Sequence, residues 1–117
     1  MECLFVNYPK CSTCKKAKTF LEDKKIKFID RDIVNDTPTY DELKKWIGIS
    51  NKPINKFFNT SGILYRQMEL SKKLLDMSDE EKIKLLSSNG MLIKRPLLVF
   101  DEKVLIGFKI KEWEEEL

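Results

Sequence analysis

A Cys-x-x-Cys pair at the junction of a strand and a helix constrains this fold more than any other feature. The run Cys3–Tyr8 is apolar and typical of a short strand, and Ser12–Lys24 carries an apolar stripe at helical spacing. Cys11 and Cys14 stand where the first segment gives way to the second. The sequence therefore predicts a strand that runs into a helix through a loop bearing two thiols.

Further strands are predicted on both sides of the middle of the chain. The segment Ile26–Ile33 alternates apolar and polar residues with period two, so a second strand follows the helix, parallel to the first, in a βαβ unit. Beyond Lys94 and Arg95, "PLLVF" and "KVLIGF" are two β-rich runs separated by Asp101 and Glu102. This spacing is typical of a tight antiparallel hairpin.

The middle of the chain is predicted to be helical. Capping boxes at Thr39–Glu42 and Ser78–Glu81 begin two helices, which we expect to end at Gly48 and Gly90. Between these helices, short helical pieces surround a polar loop, Asn59–Gly62. Residue propensities do not predict the conformation of this loop.

The order of elements, closed by a terminal helix at Lys109–Leu117, predicts an α/β architecture. It is a thioredoxin-like (glutaredoxin-like) βαβ…ββα fold with three layers, in which a helical insertion at about 38–92 separates the two halves. A chain of 117 residues can bury one core without metal or disulfide support, so we expect a single domain over 1–117.

Composition narrows the functional classes. The net charge of +3 arises from 22 basic and 19 acidic residues spread along the chain, which argues against direct binding of nucleic acid. Apolar runs such as Pro96–Phe100 are too short to span a membrane, and a signal segment is not evident. We expect a monomeric protein in the cytoplasm, where a permanent structural disulfide is disfavoured.

The chain contains no histidine, which excludes Cys–His pairs, Ser–His–Asp triads and mixed Cys/His zinc sites. A zinc site made of thiols needs four ligands, and besides Cys11 and Cys14 only Cys3 remains. Cys3 lies in the first predicted strand and is interpreted as a packing residue. We therefore expect no metal, and weigh a pair of inert buried thiols against a redox-active pair.

Position favours the redox interpretation. Cys11 is expected at the amino-terminal cap of the helix, where free backbone N–H groups and the helix dipole stabilise a thiolate. Lys10, Lys15 and Lys16 are expected to lower its pKa further. Cys14, one turn deeper in the helix, can attack a mixed disulfide formed at Cys11. The pair is thus predicted to be a nucleophile and a resolving thiol.

Four segments together carry a family resemblance: "CSTCKKAKTFLE", "FFNTSGILYR", "MLIKRPLLVF" and "VLIGFK". In this order and spacing they resemble the ArsC/Spx family of glutaredoxin-related proteins, and the likeness covers essentially the whole chain. The family includes arsenate reductases, thiol oxidoreductases and Spx-type regulators that bind RNA polymerase, so membership does not by itself decide the activity.

The resemblance implies roles for several residues. Cys11 matches the cysteine that attacks arsenate in the family's reductases, and Arg95 matches an arginine that holds the oxyanion. Ser12 and Thr13, at the start of the helix, are implied to complete an anion-binding surround through backbone N–H groups. Pro96 matches the cis-proline that thioredoxin-like folds place beside the active cysteine.

Other positions depart from the reductase pattern. Asn59 stands where well-known reductases carry an arginine. Near the last strand, where those reductases carry a further arginine, the corresponding stretch here is Gly107, Phe108 and Lys109. Loss of these planar, bidentate groups is expected to weaken oxyanion binding. Arg66 is a candidate to substitute for one of them.

The leading hypothesis is thiol–disulfide oxidoreductase chemistry through Cys11 and Cys14. The alternatives are a glutaredoxin-type arsenate reductase and an Spx-like redox-sensing regulator that binds the RNA polymerase α subunit. Against the regulator, Lys52 and Pro53 replace a glycine that Spx-type proteins use in this segment. We expect no resident cofactor; the substrate would be a thiol, disulfide or oxyanion, and the reductant glutathione, another dithiol, a glutaredoxin or thioredoxin. Lys10 is expected to support the site.

Overall fold

The computed structural model describes residues 2–117. Within this range the chain forms one mixed four-stranded sheet in the order β2-β1-β3-β4. The strands are β1 (Cys3–Asn7), β2 (Phe28–Asp32), β3 (Leu97–Val99) and β4 (Val104–Ile106). The first two strands are parallel, whereas β3 runs antiparallel to both β1 and β4, which confirms the predicted βαβ unit and hairpin.

Helical elements fill the rest of the chain. The helices are α1 (Ser12–Asp23), α2 (Tyr40–Ser50), α3 (Ile63–Gln67), α4 (Leu70–Lys73), α5 (Asp79–Ser88) and α6 (Ile110–Glu116). Three turns of 3₁₀ helix lie at Ile54–Phe57, Leu74–Asp76 and Gly90–Leu92. Both predicted capping boxes are present, at the starts of α2 and α5. None of the helices within residues 2–117 has the length and apolarity needed to cross a membrane.

The two faces of the sheet bury different sets of helices. On one face, Phe5 of β1 packs in a buried cluster with Leu21 of α1 and Trp113 of α6. On the other face, the neighbouring Val6 joins a larger cluster that includes Trp46 of α2. Because successive strand residues point to opposite faces, this pattern places the sheet between two helical layers. The predicted three-layer, thioredoxin-like α/β fold is confirmed.

Both helix ends expected at glycines lie elsewhere. Helix α2 continues past the exposed Gly48 to Ser50, and Asn51 adopts the left-handed conformation, with φ of 56°, that ends it. Helix α5 ends at Ser88. Gly90 serves a close backbone approach instead, since a Cβ there would lie 2.0 Å from the carbonyl oxygen of Ile33.

The second strand is also shorter than predicted. Ile26 lies outside it, because the Ile26 N–H donates to the Leu21 carbonyl at 3.0 Å and is thereby committed to the end of α1. Lys25 reverses the chain at this point with φ of 58°. At the other end, Ile33 is fully buried, as its apolar character suggests.

A short ladder between residues 57–59 and 92–94 joins the helical segment to the sheet. Its bonds are Asn59 N–H to the Leu92 carbonyl at 2.8 Å and Lys94 N–H to the Phe57 carbonyl at 2.7 Å. Phe58 and Ile93 form an antiparallel bridge between them. This ladder, which sequence reasoning left unresolved, sets the loop 59–62 beside the chain that enters β3.

Gly48 and Gly90, which were both wrongly predicted to end helices, form a matched pair for a stability test. Gly90→Ala is expected to destabilise the protein by about 1–3 kcal/mol, because its methyl group collides with backbone. Gly48→Ala has no heavy atom within 4 Å of the new Cβ and is expected to stabilise by about 0.5–1 kcal/mol through helix propensity. Urea unfolding of both variants measures the difference. Equal free energies of unfolding would contradict the close approach at Gly90.

Candidate active site

Cys11 is the amino-terminal cap of α1, as predicted. Its backbone is extended (φ −92°, ψ 122°), and its sulfur accepts a hydrogen bond from the backbone N–H of Cys14 at 3.4 Å. The Cys11 N–H itself donates to the Tyr8 carbonyl at 2.9 Å, which closes the turn between β1 and α1. The sulfur is therefore held at a helix start, where the N–H groups favour a negative charge.

Arg95 lies across from this helix start. Its guanidinium stacks over the ring of Tyr8, with 5.1 Å between the guanidinium carbon and the ring centroid. One of its terminal nitrogens, Nη1, is buried and lacks a hydrogen-bond partner within residues 2–117. The side chain is thus oriented by Tyr8, and its buried Nη1 is a hydrogen-bond donor without an acceptor in the described part of the chain.

The two thiols have pKa values that move in opposite directions. Partial burial alone would raise the pKa of Cys11, but the hydrogen bonds from Cys14 and the adjacent guanidinium of Arg95 lower it below its ordinary value. Burial raises the pKa of Cys14 to about 12, and the neighbouring Cys11 adds to this effect. One sulfur is therefore favoured as a thiolate while the other stays protonated.

The two thiols also differ in their exposure to solvent. Cys11 is half-buried, whereas the Cys14 side chain is 1% exposed. A substrate that approaches α1 meets Cys11 first. The sequence analysis expected Lys10, Lys15 and Lys16 to lower the pKa of Cys11. These lysines are exposed, and the groups that lower the pKa of Cys11 are Cys14 and Arg95 instead.

An open cleft of about 580 Å³ leads to Cys11. It collects residues from four separate parts of the chain, including the predicted Thr13, Asn59 and Arg95. Cys14 and Pro96 are buried, and neither they nor Ser12 and Lys10 line the cleft. Sequence reasoning missed several residues that do line it, among them Ser61, Gln67, Met91 and Lys94.

Asn59 enters the cleft through the ladder described above. The side chain is 8% exposed and accepts a hydrogen bond from the Ser61 hydroxyl at 3.4 Å, while the Asn59 carbonyl accepts one from the Gly62 N–H at 3.1 Å. The loop is thus a compact polar turn. Arg66, the arginine considered as a substitute for this position, is exposed on α3 and does not line the cleft.

Gly107 lies in the far wall of the cleft and is held by Pro96, which lies behind that wall. The Arg95–Pro96 peptide bond is cis, and the Pro96 carbonyl accepts a hydrogen bond from the Gly107 N–H at 2.8 Å. Gly107 has φ of 72°, and its carbonyl accepts the indole N–H of Trp113 at 3.1 Å. This turn brings Phe108 into the cleft, where the family's reductases are expected to carry an arginine.

Cys3 stands apart from the pair. It is buried in β1, and its sulfur lies 3.6 Å from the Lys27 carbonyl, to which the thiol donates. Within residues 2–117, no three histidine, cysteine or carboxylate side chains converge on a position where a metal ion could bind.

The fold and the site define a class: a thioredoxin-like protein with an asymmetric dithiol at a helix start. Residues 6–116 match the model of the ArsC family, and the chain belongs to that family.

Two curated relatives and two solved structures are similar to this chain over most of its length. The uncharacterized protein YusI of Bacillus subtilis (strain 168) is 46% identical over 98% of both chains. The regulatory protein MgsR of the same strain is 31% identical over 89% of this chain and 81% of MgsR. An ArsC-family-related protein from Bacteroides fragilis is 53% identical, with a TM-score of 0.94 over 98% of this chain and 97% of that one. A possible arsenate reductase from Streptococcus mutans UA159 is 40% identical, with a TM-score of 0.90 over 98% of both chains.

The opposed pKa values predict the order of alkylation. Near neutral pH, a short pulse of iodoacetamide is expected to label Cys11 first, because only this thiol combines a lowered pKa with exposure. Peptide mass mapping identifies the labelled site, and the same pulse in urea, where all three thiols are equivalent, is the control. Faster labelling of Cys14 or Cys3 in the folded protein would reverse the assignment.

A second prediction concerns the cause of the lowered pKa. Arg95→Gln is expected to move the midpoint of the alkylation pH profile of Cys11 to higher pH, because a neighbouring positive charge is removed. Arg66→Gln makes the same chemical change at an exposed position outside the cleft and is expected to leave the profile in place. Equal profiles for the two variants would show that Arg95 does not act on the thiolate.

Proposed function

We propose that this ArsC-family protein is a cytoplasmic thiol–disulfide oxidoreductase. The observation that carries the proposal is the asymmetry of the dithiol: an accessible Cys11 whose pKa is lowered, and a buried Cys14 whose pKa is raised to about 12. Such a pair suits an attacking thiol and a resolving thiol, respectively.

In the first step, the Cys11 thiolate attacks one sulfur of a substrate disulfide. A bond forms between Cys11 and that sulfur, the substrate S–S bond breaks, and the other substrate sulfur leaves as a thiolate that takes a proton from water. The unpaired Nη1 donor of Arg95 supports this step, because it can hydrogen-bond to the sulfur on which negative charge develops.

In the second step, Cys14 resolves the mixed disulfide. Once Cys11 is covalently bonded, its negative charge disappears, and with it one of the causes that raise the pKa of Cys14. Cys14 then loses its proton to solvent and attacks the Cys11 sulfur, which releases the second substrate thiol. The products are two substrate thiols and a Cys11–Cys14 disulfide, which an external dithiol, glutathione, a glutaredoxin or a thioredoxin returns to the reduced state.

Arsenate reduction is the second candidate, favoured by the same free donor of Arg95. Phe108 and Asn59 line the cleft where the reductase pattern has arginines, so an oxyanion would lack two bidentate partners. At about 1.5–3 kcal/mol for each charged contact, this loss corresponds to one to two orders of magnitude in affinity per site. The geometry therefore supports disulfide exchange better than arsenate turnover.

A regulator of the Spx type is the non-enzymatic alternative, and the likeness to MgsR supports considering it. Its partner would be the RNA polymerase α subunit. Pro53 is exposed at the start of the 3₁₀ turn Ile54–Phe57, where Spx-type proteins are expected to use glycine, and a proline there adds bulk and removes a donor. This position disfavours the same mode of docking.

The proposal predicts the behaviour of the two cysteine variants toward hydroxyethyl disulfide with dithiothreitol as reductant. Cys11→Ser is expected to lower the rate to that of dithiothreitol alone. Cys14→Ser, treated with hydroxyethyl disulfide in the absence of dithiothreitol, is expected to form a stable mixed disulfide at Cys11, which intact mass spectrometry detects. Cys3→Ser, which alters a thiol outside the site, is the control and is expected to retain activity.

Three further assays of the wild-type protein and its variants distinguish disulfide reduction from the two alternative functions. Saturable arsenate reduction that is faster than disulfide reduction and is lost in Arg95→Gln would favour the reductase. Binding to the polymerase α carboxyl-terminal domain that depends on the redox state of the dithiol would favour the regulator. Undiminished disulfide reduction by Cys11→Ser would overturn the proposed mechanism itself.

A further inference from the structure

A second cleft, here called the lysine groove, runs beside the free edge of the sheet. It has a volume of about 580 Å³ and is lined by β4 and by residues from the 3₁₀ turn Ile54–Phe57 and from α6. Phe58 lies beneath it, buried to 99% of its surface, so the floor is apolar but offers no exposed aromatic ring. The proposed disulfide chemistry does not use this groove.

The walls of the lysine groove are strongly basic. Five lysines line it against two glutamates, and these lysines are Lys52, Lys56, Lys94, Lys103 and Lys109. Lys103 is paired with Glu116 at 3.4 Å. Within residues 2–117, none of the other four lysines has a carboxylate within salt-bridge distance. The unpaired cations create a positive potential in a concave site, which favours an anionic occupant.

The floor also carries backbone hydrogen-bonding groups that have no partner among residues 2–117. Hydrogen bonds from Phe100 N–H to the Lys103 carbonyl and from Gly107 N–H to the Pro96 carbonyl flank the β3–β4 ladder. Since hydrogen-bonded pairs alternate in an antiparallel ladder, the N–H and C=O groups of Val104 and Ile106 point away from β3. They face the open edge of the sheet, because β4 is the last strand in its order.

We propose that the lysine groove binds an acidic polypeptide segment in extended conformation, which pairs with the edge of β4. An added strand satisfies the outward groups of Val104 and Ile106, and its carboxylates meet the unpaired lysines. A single-stranded nucleic acid fits less well, because its bases would find no exposed aromatic ring on which to stack.

The lysine groove is continuous with the cleft that leads to Cys11. Both are lined by Lys94, Ile106 and Lys109. The Lys94 side chain crosses the turn between them, since a Cβ on Gly107 would lie 3.0 Å from its Cε. A polypeptide bound along β4 therefore has a direct route for one end of the segment toward Cys11.

Binding of a labelled peptide tests this proposal independently of any redox activity. The probe is a short fluorescein-labelled peptide of alternating glutamate and threonine, titrated with the Cys11→Ser protein and followed by anisotropy. We expect saturable binding that weakens with salt, since the contacts are largely ionic. The same peptide with N-methyl groups on alternate residues, which removes the donors that would pair with β4, is expected to bind at least about fivefold more weakly.

Matched lysine variants locate the contact. The double variant Lys52→Gln/Lys56→Gln is expected to lower the affinity about threefold to tenfold, as loss of two exposed ion pairs predicts. Lys72→Gln/Lys73→Gln on α4 makes the same change of charge outside the groove and is expected to have no effect.

Several outcomes would overturn the proposal. These are equal binding of a lysine–threonine peptide, equal loss in the two double variants, no effect of N-methylation, and tighter binding of a single-stranded oligonucleotide than of the acidic peptide. None of them bears on disulfide reduction by the wild-type protein, so the two proposals stand or fall separately.

Discussion

The short ladder between residues 57–59 and 92–94 is the constraint on which the rest of the site depends. Its two backbone hydrogen bonds, at 2.7 and 2.8 Å, tie the helical segment to the chain that enters β3. One end of the ladder presents Asn59, and the other leads directly to Arg95. Without this connection, the helix start at Cys11 would have a sheet behind it but no opposite wall, and the cleft would not exist.

Burial of Cys14, the helix start and Arg95 in this wall together produce the electrostatic asymmetry of the dithiol. A helix start acts on both cysteines of a Cys-x-x-Cys motif, so the helix alone does not explain why their pKa values move in opposite directions. Burial separates them, because Cys14 faces the core while Cys11 faces the cleft. Arg95 then adds a positive charge on the open side, where its guanidinium is held over Tyr8. Packing thus determines which sulfur reacts.

Most features that depend on local sequence were predictable, whereas several that depend on distant contacts were not. The capping boxes of α2 and α5 and the cap position of Cys11 follow from neighbouring residues, so the sequence indicated them correctly. Gly90 was misread as a helix end because its requirement comes from Ile33, far away in the chain. Lys94 and Met91 were missed for the same reason. Their place in the cleft is set by the ladder, for which no periodicity gives a signal.

The clustering of positive charge in the lysine groove also depends on contacts between distant parts of the chain. In the sequence its five lysines are spread over more than fifty positions and give the impression of an evenly solvated surface. The fold brings them together beside β4 because the 3₁₀ turn Ile54–Phe57, the β3–β4 turn and α6 all border the same groove. The chemistry at Cys11 depends on one helix start and one arginine, whereas selection of a partner can draw on this wider surface. The proposed recognition and the proposed reaction therefore occupy adjacent clefts that share Lys94, Ile106 and Lys109.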